Sequence, residues 1–154
     1  MSAIDLEIPL VQCRKSPEGY WVGVETKAVI LCVDDEENPL ILRKMVLEKA
    51  GYDVVTANSG RKALDLLQSK PVDLVLSDLL MPGMTGTELA RQIKELHPQL
   101  PVILVSGVNE IPPEAGYADR FISKVEGPLS LCENIAEVLS TKDISEKLKT
   151  RPQS

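Results

Sequence analysis

The sequence predicts an α/β protein, a doubly wound parallel sheet with helices on both faces, and three observations carry that expectation. Five short aliphatic runs, "AVILCV", "DVVTA", "VDLVLS", "PVILVS" and "DRFIS", follow one another from residue 28 onward. Several are apolar at successive rather than alternate positions, as strands covered from two sides must be. Longer amphipathic segments separate them, so strand and helix alternate as in repeated βα units.

In chain order, Asn38 and Pro39 are placed to open the first helix at cap and first-turn positions, and Gly51 to close it after "LILRKMVLEKA". Ser59 is the expected cap of "GRKALDLLQSK", which Pro71 ends. Thr85 caps the third helix, with Glu88 three residues on as a capping box, through "TELARQIKELH" to Pro98. The last helix starts at Pro128 and carries Leu131, Cys132, Ile135 and Leu139 on one face. One link breaks the rhythm. Residues 107–118, "GVNEIPPEAGYA", barely suffice for a parallel crossover, and Pro112, Pro113 and Gly116 oppose a regular helix, so the fourth helix should be shortened or irregular.

The flanks differ in kind from this core of residues 27–140. In residues 1–26, "IPLVQCR", a turn signal "KSPEG" and "YWVGVE" fit either a hairpin carrying Trp21, the only tryptophan, or a mobile leader. Residues 141–154, "TKDISEKLKTRPQS", form a polar tail expected to extend the last helix and then lose order. No second folded unit is expected after that helix, so a stand-alone domain without a DNA-binding partner domain is anticipated.

Bulk properties exclude several function classes. With 154 residues and 44% hydrophobic content the chain can build one ordinary core. A net charge of -6 and no dense Lys/Arg cluster oppose nucleic-acid binding, which needs concentrated positive charge. Cys13, Cys32 and Cys132 are odd in number and far apart, which fits neither a disulfide framework nor a zinc site. No segment resembles a signal peptide or membrane span, so a soluble cytoplasmic protein is expected.

The strand ends hold the chemistry. In open parallel sheets ligands gather beyond the carboxyl ends of the strands. The first strand ends in Asp34 and Asp35, the third in Asp78, the fourth in Ser106 and the fifth in Lys124. Carboxylates gathered there would repel by about 4 kcal/mol per pair at 4 Å and an effective dielectric near 20. Either one stays protonated or a hard cation sits among them, and Mg²⁺ suits because it accepts one or two carboxylates and leaves room for a phosphate oxygen. Asp34 and Asp35 are the candidate metal-holding pair. Glu36 and Glu37 read as solvated acids favouring the next helix N-terminus.

Taken together, "VDDE", "LVLSDLLMPGMTG", "VILVSG" and "FISK" in this order make residues 27–140 resemble the receiver domain of response regulators, the CheY-like family. The resemblance implies a flavodoxin-like (βα)5 fold with strand order 2-1-3-4-5. It implies that Asp78 accepts a phosphoryl group from a histidine kinase or phosphotransfer protein, and that Asp35 and Asp78 bind magnesium with the backbone carbonyl of Leu80, Asp34 acting through water. Ser106 and Lys124 would contact the phosphoryl oxygens, and Phe121 would stand at the family's aromatic switch position. Pro82 and Gly86 would shape the loop beyond Asp78. The expected role is a signalling phosphoacceptor rather than a turnover enzyme, a monomer or weak homodimer acting on a downstream protein target.

Two departures from the family pattern qualify these expectations. Lys124 is followed by Val125, Glu126, Gly127 and Pro128 rather than directly by Pro. A cis bond before Val would cost about 2.5–4 kcal/mol, so this link should be trans and the loop should take another path. The irregular 107–118 link suggests a modified signalling face, and Leu80 and Val108 are apolar at positions where the family tunes water access, which implies slow phosphoryl loss. Two alternatives stand beside this reading. One is a pseudo-receiver that binds partners without phosphoryl chemistry. The other is a metal-dependent phosphatase with an aspartyl nucleophile, disfavoured because Leu80 occupies the position of the second acid such enzymes carry.

Overall fold

The computed structural model describes residues 13–15, 21–23, 27–107 and 116–150. Two three-residue strands come first, β1 (Cys13–Lys15) and β2 (Trp21–Gly23), paired antiparallel with Cys13 opposite Gly23 and Lys15 opposite Trp21. The core follows as β3 (Val29–Val33), α1 (Glu37–Lys49), β4 (Asp53–Ala57), α2 (Gly60–Ser69), β5 (Leu74–Asp78), α3 (Gly86–Leu96), β6 (Val102–Ser106), β7 (Arg120–Ser123) and α4 (Pro128–Thr150). The five core strands lie in the order β4-β3-β5-β6-β7, all neighbours parallel. Counted from β3 this is the 2-1-3-4-5 order, reversing direction beside β3 and β5, which bear Asp34 and Asp78 at their ends.

Strand periodicity divides the core in two. Ile30, Cys32, Leu74, Leu76, Ile103, Val105 and Ile122 pack against Leu40 and Leu47 of α1 and Ile135 and Val138 of α4. The intervening residues Leu31, Val33, Val75, Val102 and Leu104 face Ala63, Leu64 and Leu67 of α2 and Leu89, Ala90 and Ile93 of α3. Both faces of the sheet are therefore sealed, which is why the strands read as unbroken aliphatic runs. Cys32 belongs to this interior, where burial pushes its thiol up to about 12, and it is a free, inert thiol.

The helix ends show which local signals operate. Ser59 Oγ accepts the Lys62 N–H and Thr85 Oγ1 the Glu88 N–H, as side-chain caps. Glu88 does not complete a capping box; its carboxylate is taken by Arg91 and Gln92. Gly51, at φ 104°, closes α1: its N–H reaches Glu48 O, and Tyr52 N–H reaches Leu47 O, a left-handed exit suited to glycine. The start of α1 differs from the sequence expectation. Asn38 and Pro39 lie inside the first turn, Glu36 is the N-cap without a side-chain cap bond, and Asp34 Oδ1 instead accepts the Glu36 N–H at 2.9 Å.

Between β6 and β7 the described residues contain no α-helix, only a single 3₁₀ turn at Gly116 and Tyr117. The two prolines of that link and Val108 lie outside the described residues, as do residues 151–154. No helix among the described residues is long and apolar enough to cross a membrane.

The turn after β5 depends on a close approach. Gly86 N–H bonds Leu79 O at 2.8 Å, and a Cβ at Gly86 would stand 2.3 Å from the Asp78 carbonyl oxygen and 3.0 Å from Leu79 Cα. Backbone cannot yield there as a flexible side chain could. Gly86→Ala is expected to destabilise the domain by about 1–3 kcal/mol, read as a lower midpoint in urea denaturation.

Candidate functional site at the carboxyl edge of the sheet

One backbone bond beyond each strand fixes the rim. Asp34 N–H donates to Ala57 O at 3.2 Å, Leu79 N–H to Val105 O at 2.9 Å, and Lys124 N–H to Ser106 O at 2.8 Å. These bonds extend the ladders by a residue and hold the strand-end side chains at one level. The carboxylates of Asp34, Asp35 and Asp78 consequently offer oxygens that all lie within 4.8 Å of one another. Asp34 and Asp78 are buried, Asp35 is exposed, and Ser106 is buried at the end of β6.

The opposite edge shows what an acid does when its task is purely structural. Asp73 Oδ2 accepts the Val29 N–H at 2.7 Å, and Asp119 Oδ2 accepts the Val102 N–H at 2.7 Å and pairs with Lys94. Each of these acids closes a strand's first N–H. At the carboxyl edge the acids face one another instead, and cations balance them. Lys124 Nζ lies 2.7 Å from Asp78 Oδ1. Arg43 Nη1 donates to Asp34 Oδ2 at 2.9 Å, with Nη2 4.0 Å from Asp78 Oδ1.

Asp78 retains an unfavourable setting despite these cations. Burial raises its pKa above the usual carboxylate range, against the lowering effect of Lys124, and the nearby Asp34 charge raises it further. Its Oδ1 is buried, with an ion-pair contact to Lys124 but no well-directed hydrogen bond. An all-oxygen set containing such an atom fits a small hard divalent ion.

Lys124 reaches the pocket without the proline that follows this lysine in the family pattern. Ser123 and Glu126 build the turn reciprocally: Glu126 N–H donates to Ser123 O at 3.1 Å, and Ser123 N–H to Glu126 Oε2 at 3.1 Å. Ser130 Oγ of α4 donates to Glu126 Oε1 at 2.5 Å, and these bonds hold the Glu126 carboxyl below its ordinary range. No cis peptide bond occurs among the described residues, as expected for Lys124–Val125.

Of the remaining predicted residues, Phe121 is half-buried on β7, in register with Leu104 of β6. The Leu80 side chain is 66% exposed and points out of the core. Sequence reasoning missed Arg43 and Glu126. Their available signals were positional: Arg43 lies on the inward stripe Leu40-Arg43-Leu47, and Ser123-x-x-Glu126 has the spacing of a reciprocal cap. A groove of about 310 Å³ between α1 and the β7–α4 turn has both Arg43 and Lys124 in its wall.

Fold and rim together define a doubly wound domain with an acid-and-lysine pocket beside its topological switch point. The chain belongs to the response regulator receiver domain family, whose model matches residues 30–136. It is 30% identical over 121 residues to the alkaline phosphatase synthesis transcriptional regulatory protein PhoP of Bacillus subtilis, matching 75% of this chain but only half the length of that relative. Among solved structures, a CheY-like receiver domain protein from Methanospirillum hungatei superposes with a TM-score of 0.73 at 30% identity, covering 78% of this chain and 99% of that one. The response regulator TrrA of Thermotoga maritima, solved in complex with Mg²⁺-BeF, gives 0.69 at 32% identity over 71% of this chain and 97% of its own.

The raised Asp78 pKa has a definite thermodynamic sign. A carboxyl whose folded pKa exceeds its unfolded value binds more protons when folded, so its contribution to stability falls as pH rises from the unfolded value of about 3.9 through the folded one, and stays low above it. Asp78→Asn should therefore raise the Tm of metal-free protein at neutral pH. The advantage should shrink on acidification through that window, measured by thermal melts in EDTA across pH.

Proposed function

We propose that this chain is a phosphoacceptor of a two-component relay, in which Asp78 takes a phosphoryl group from a histidine kinase or phosphotransfer protein in the cytoplasm and passes the signal on through protein contacts. The convergence of Asp34, Asp35 and Asp78 within 4.8 Å, with Lys124 Nζ 2.7 Å from Asp78 Oδ1, is the observation that carries this reading. Family membership supports it independently.

Asp35 and Asp78, with the Leu80 carbonyl, would hold Mg²⁺, and Asp34 would act through water. When bound, the ion supplies neutralisation of phosphoryl charge and alignment of donor and acceptor. The protein's own groups do the rest. An Asp78 oxygen forms the new bond to phosphorus as the bond from phosphorus to the donor imidazole nitrogen breaks. The carboxylate is a weak nucleophile, so positioning and charge stabilisation must supply the rate. Lys124 already stands beside that carboxylate to pair with a phosphoryl oxygen, and Ser106 faces the same rim to donate a hydrogen bond to another.

After transfer Asp78 carries about two negative charges in place of one, which rewards inward movement of Ser106 and Lys124. Both border β7, so Phe121 on that strand is placed to repack with them. A full swing between states from 1:99 to 99:1 needs about 5.5 kcal/mol of differential stabilisation, and a partial shift is expected from one new set of hydrogen bonds. The prolines of the 107–118 sequence, which oppose a regular helix, support a reporting face that differs from that of relatives with a regular fourth helix. The phosphatase alternative lacks its second acid, since Leu80 stands at that position.

Incubation with a small phosphoryl donor such as acetyl phosphate tests the assignment. The intact mass should rise by one phosphoryl group only when Mg²⁺ is present, and Asp78→Ala should stay unmodified. Lys124→Ala should slow the modification by about 10²–10³-fold. An unmodified wild-type protein would favour the phosphorylation-independent module instead.

A further inference from the structure

The acidic pocket already contains a cation that is no part of the reading above. Arg43 stands three residues after Leu40 and four before Leu47, both buried, and so on the face of α1 that packs on the sheet. A guanidinium there loses hydration and must be repaid by carboxylates. Its side chain is only 12% exposed; Nη1 donates to Asp34 Oδ2 at 2.9 Å, and Nη2 lies 4.0 Å from Asp78 Oδ1. The other Asp34 oxygen accepts the Glu36 N–H at 2.9 Å. Both oxygens of the most buried acid are thus engaged by donors of the chain itself.

We propose that Arg43 is a resident counter-cation of the pocket, and that it competes with a divalent metal ion for Asp34. The inference rests on the metal-assisted reading of the site given above. Arg43 and Lys124 bring the three clustered carboxylates to within one charge of neutral, so the metal-free pocket is largely offset by its own side chains. A divalent ion among those carboxylates would lie close to the guanidinium in a partly buried site, where like charges repel more strongly than in water. A metal-bound water that donates to Asp34 Oδ2 also requires Nη1 to release that oxygen. Lys124 is not equivalent, because its side chain is 36% exposed and can swing toward solvent, whereas Arg43 is enclosed by α1 and the sheet. The chain exchanges metal affinity for a pocket that stays ordered without metal.

The test is Mg²⁺ titration of the full chain by isothermal calorimetry, with Arg43→Gln, Arg43→Leu and Arg43→Lys beside wild type. Removing the charge in Arg43→Gln should tighten Mg²⁺ binding by about tenfold, equivalent to about 1.4 kcal/mol. Arg43→Lys, which keeps the charge, should stay close to wild type. Arg43→Leu should melt below wild type in EDTA and recover more on Mg²⁺ addition, because metal then replaces the missing cation. Should Arg43→Leu fail to fold in either condition, Arg43→Gln, which keeps an amide donor for Asp34, decides. Mg²⁺ binding by folded Arg43→Gln that is no tighter than wild type would overturn the inference alone. Absence of binding in wild type and every variant would overturn the metal reading and the inference with it, whereas binding only by Arg43→Gln and Arg43→Leu would support both.

Discussion

The structure turns on the balance of buried charge at the carboxyl edge of the sheet. Asp34 has no solvent exposure and Asp78 almost none, and their oxygens are near enough to repel. Two cations from different elements, Arg43 on α1 and Lys124 after β7, make that arrangement compatible with a stable fold. Arg43–Asp34 is the enclosed pair, and removing one partner of such a pair strands the other charge, at a cost of about 3–5 kcal/mol. The pocket is therefore coupled to the packing of α1 and of the β7–α4 turn, and a change of charge at Asp78 bears on both.

Topology explains why those elements meet. The order β4-β3-β5-β6-β7 puts β3 and β5 side by side at the centre, so residues just past their ends become neighbours although they are separated by more than forty positions in the chain. Helix α1 starts three residues after Asp34 and packs on the face that Leu76 and Val105 also occupy, carrying Arg43 to the pocket. The turn beyond β7 is held by the Ser123–Glu126 pair and by Ser130 of α4.

Much of this was legible in the sequence, for identifiable reasons. The aliphatic runs gave the strands because burial on both faces leaves no room for polar alternation, and Ser59, Thr85 and Gly51 marked helix ends because their caps are local. Asp34, Asp35, Asp78, Ser106 and Lys124 could be placed at one rim because each ends a strand or stands within two residues of a strand end. What escaped depends on tertiary context. Asn38 and Pro39 resemble a helix start, yet Asp34 reaches forward to the Glu36 N–H and the helix begins at Glu37. Arg43, beside Lys44 on an otherwise mixed helix, looks like an ordinary surface base until the positions of Leu40 and Leu47 show which face it shares. Glu126 likewise reads as a solvated acid, because its partners Ser123 and Ser130 come from two different elements.

The central claim is that Asp34, Asp35 and Asp78 form one cation pocket at the sheet's carboxyl edge, and paramagnetic Mn²⁺ used as a substitute ion probes it most directly. In ¹⁵N–¹H spectra, substoichiometric Mn²⁺ should broaden the amides of Asp34, Asp35, Glu36, Asp78 and Leu79 first, while those near Asp73 and Asp119 at the opposite edge stay sharp. Broadening spread over the acidic surface in general, or centred at that opposite edge, would contradict the account.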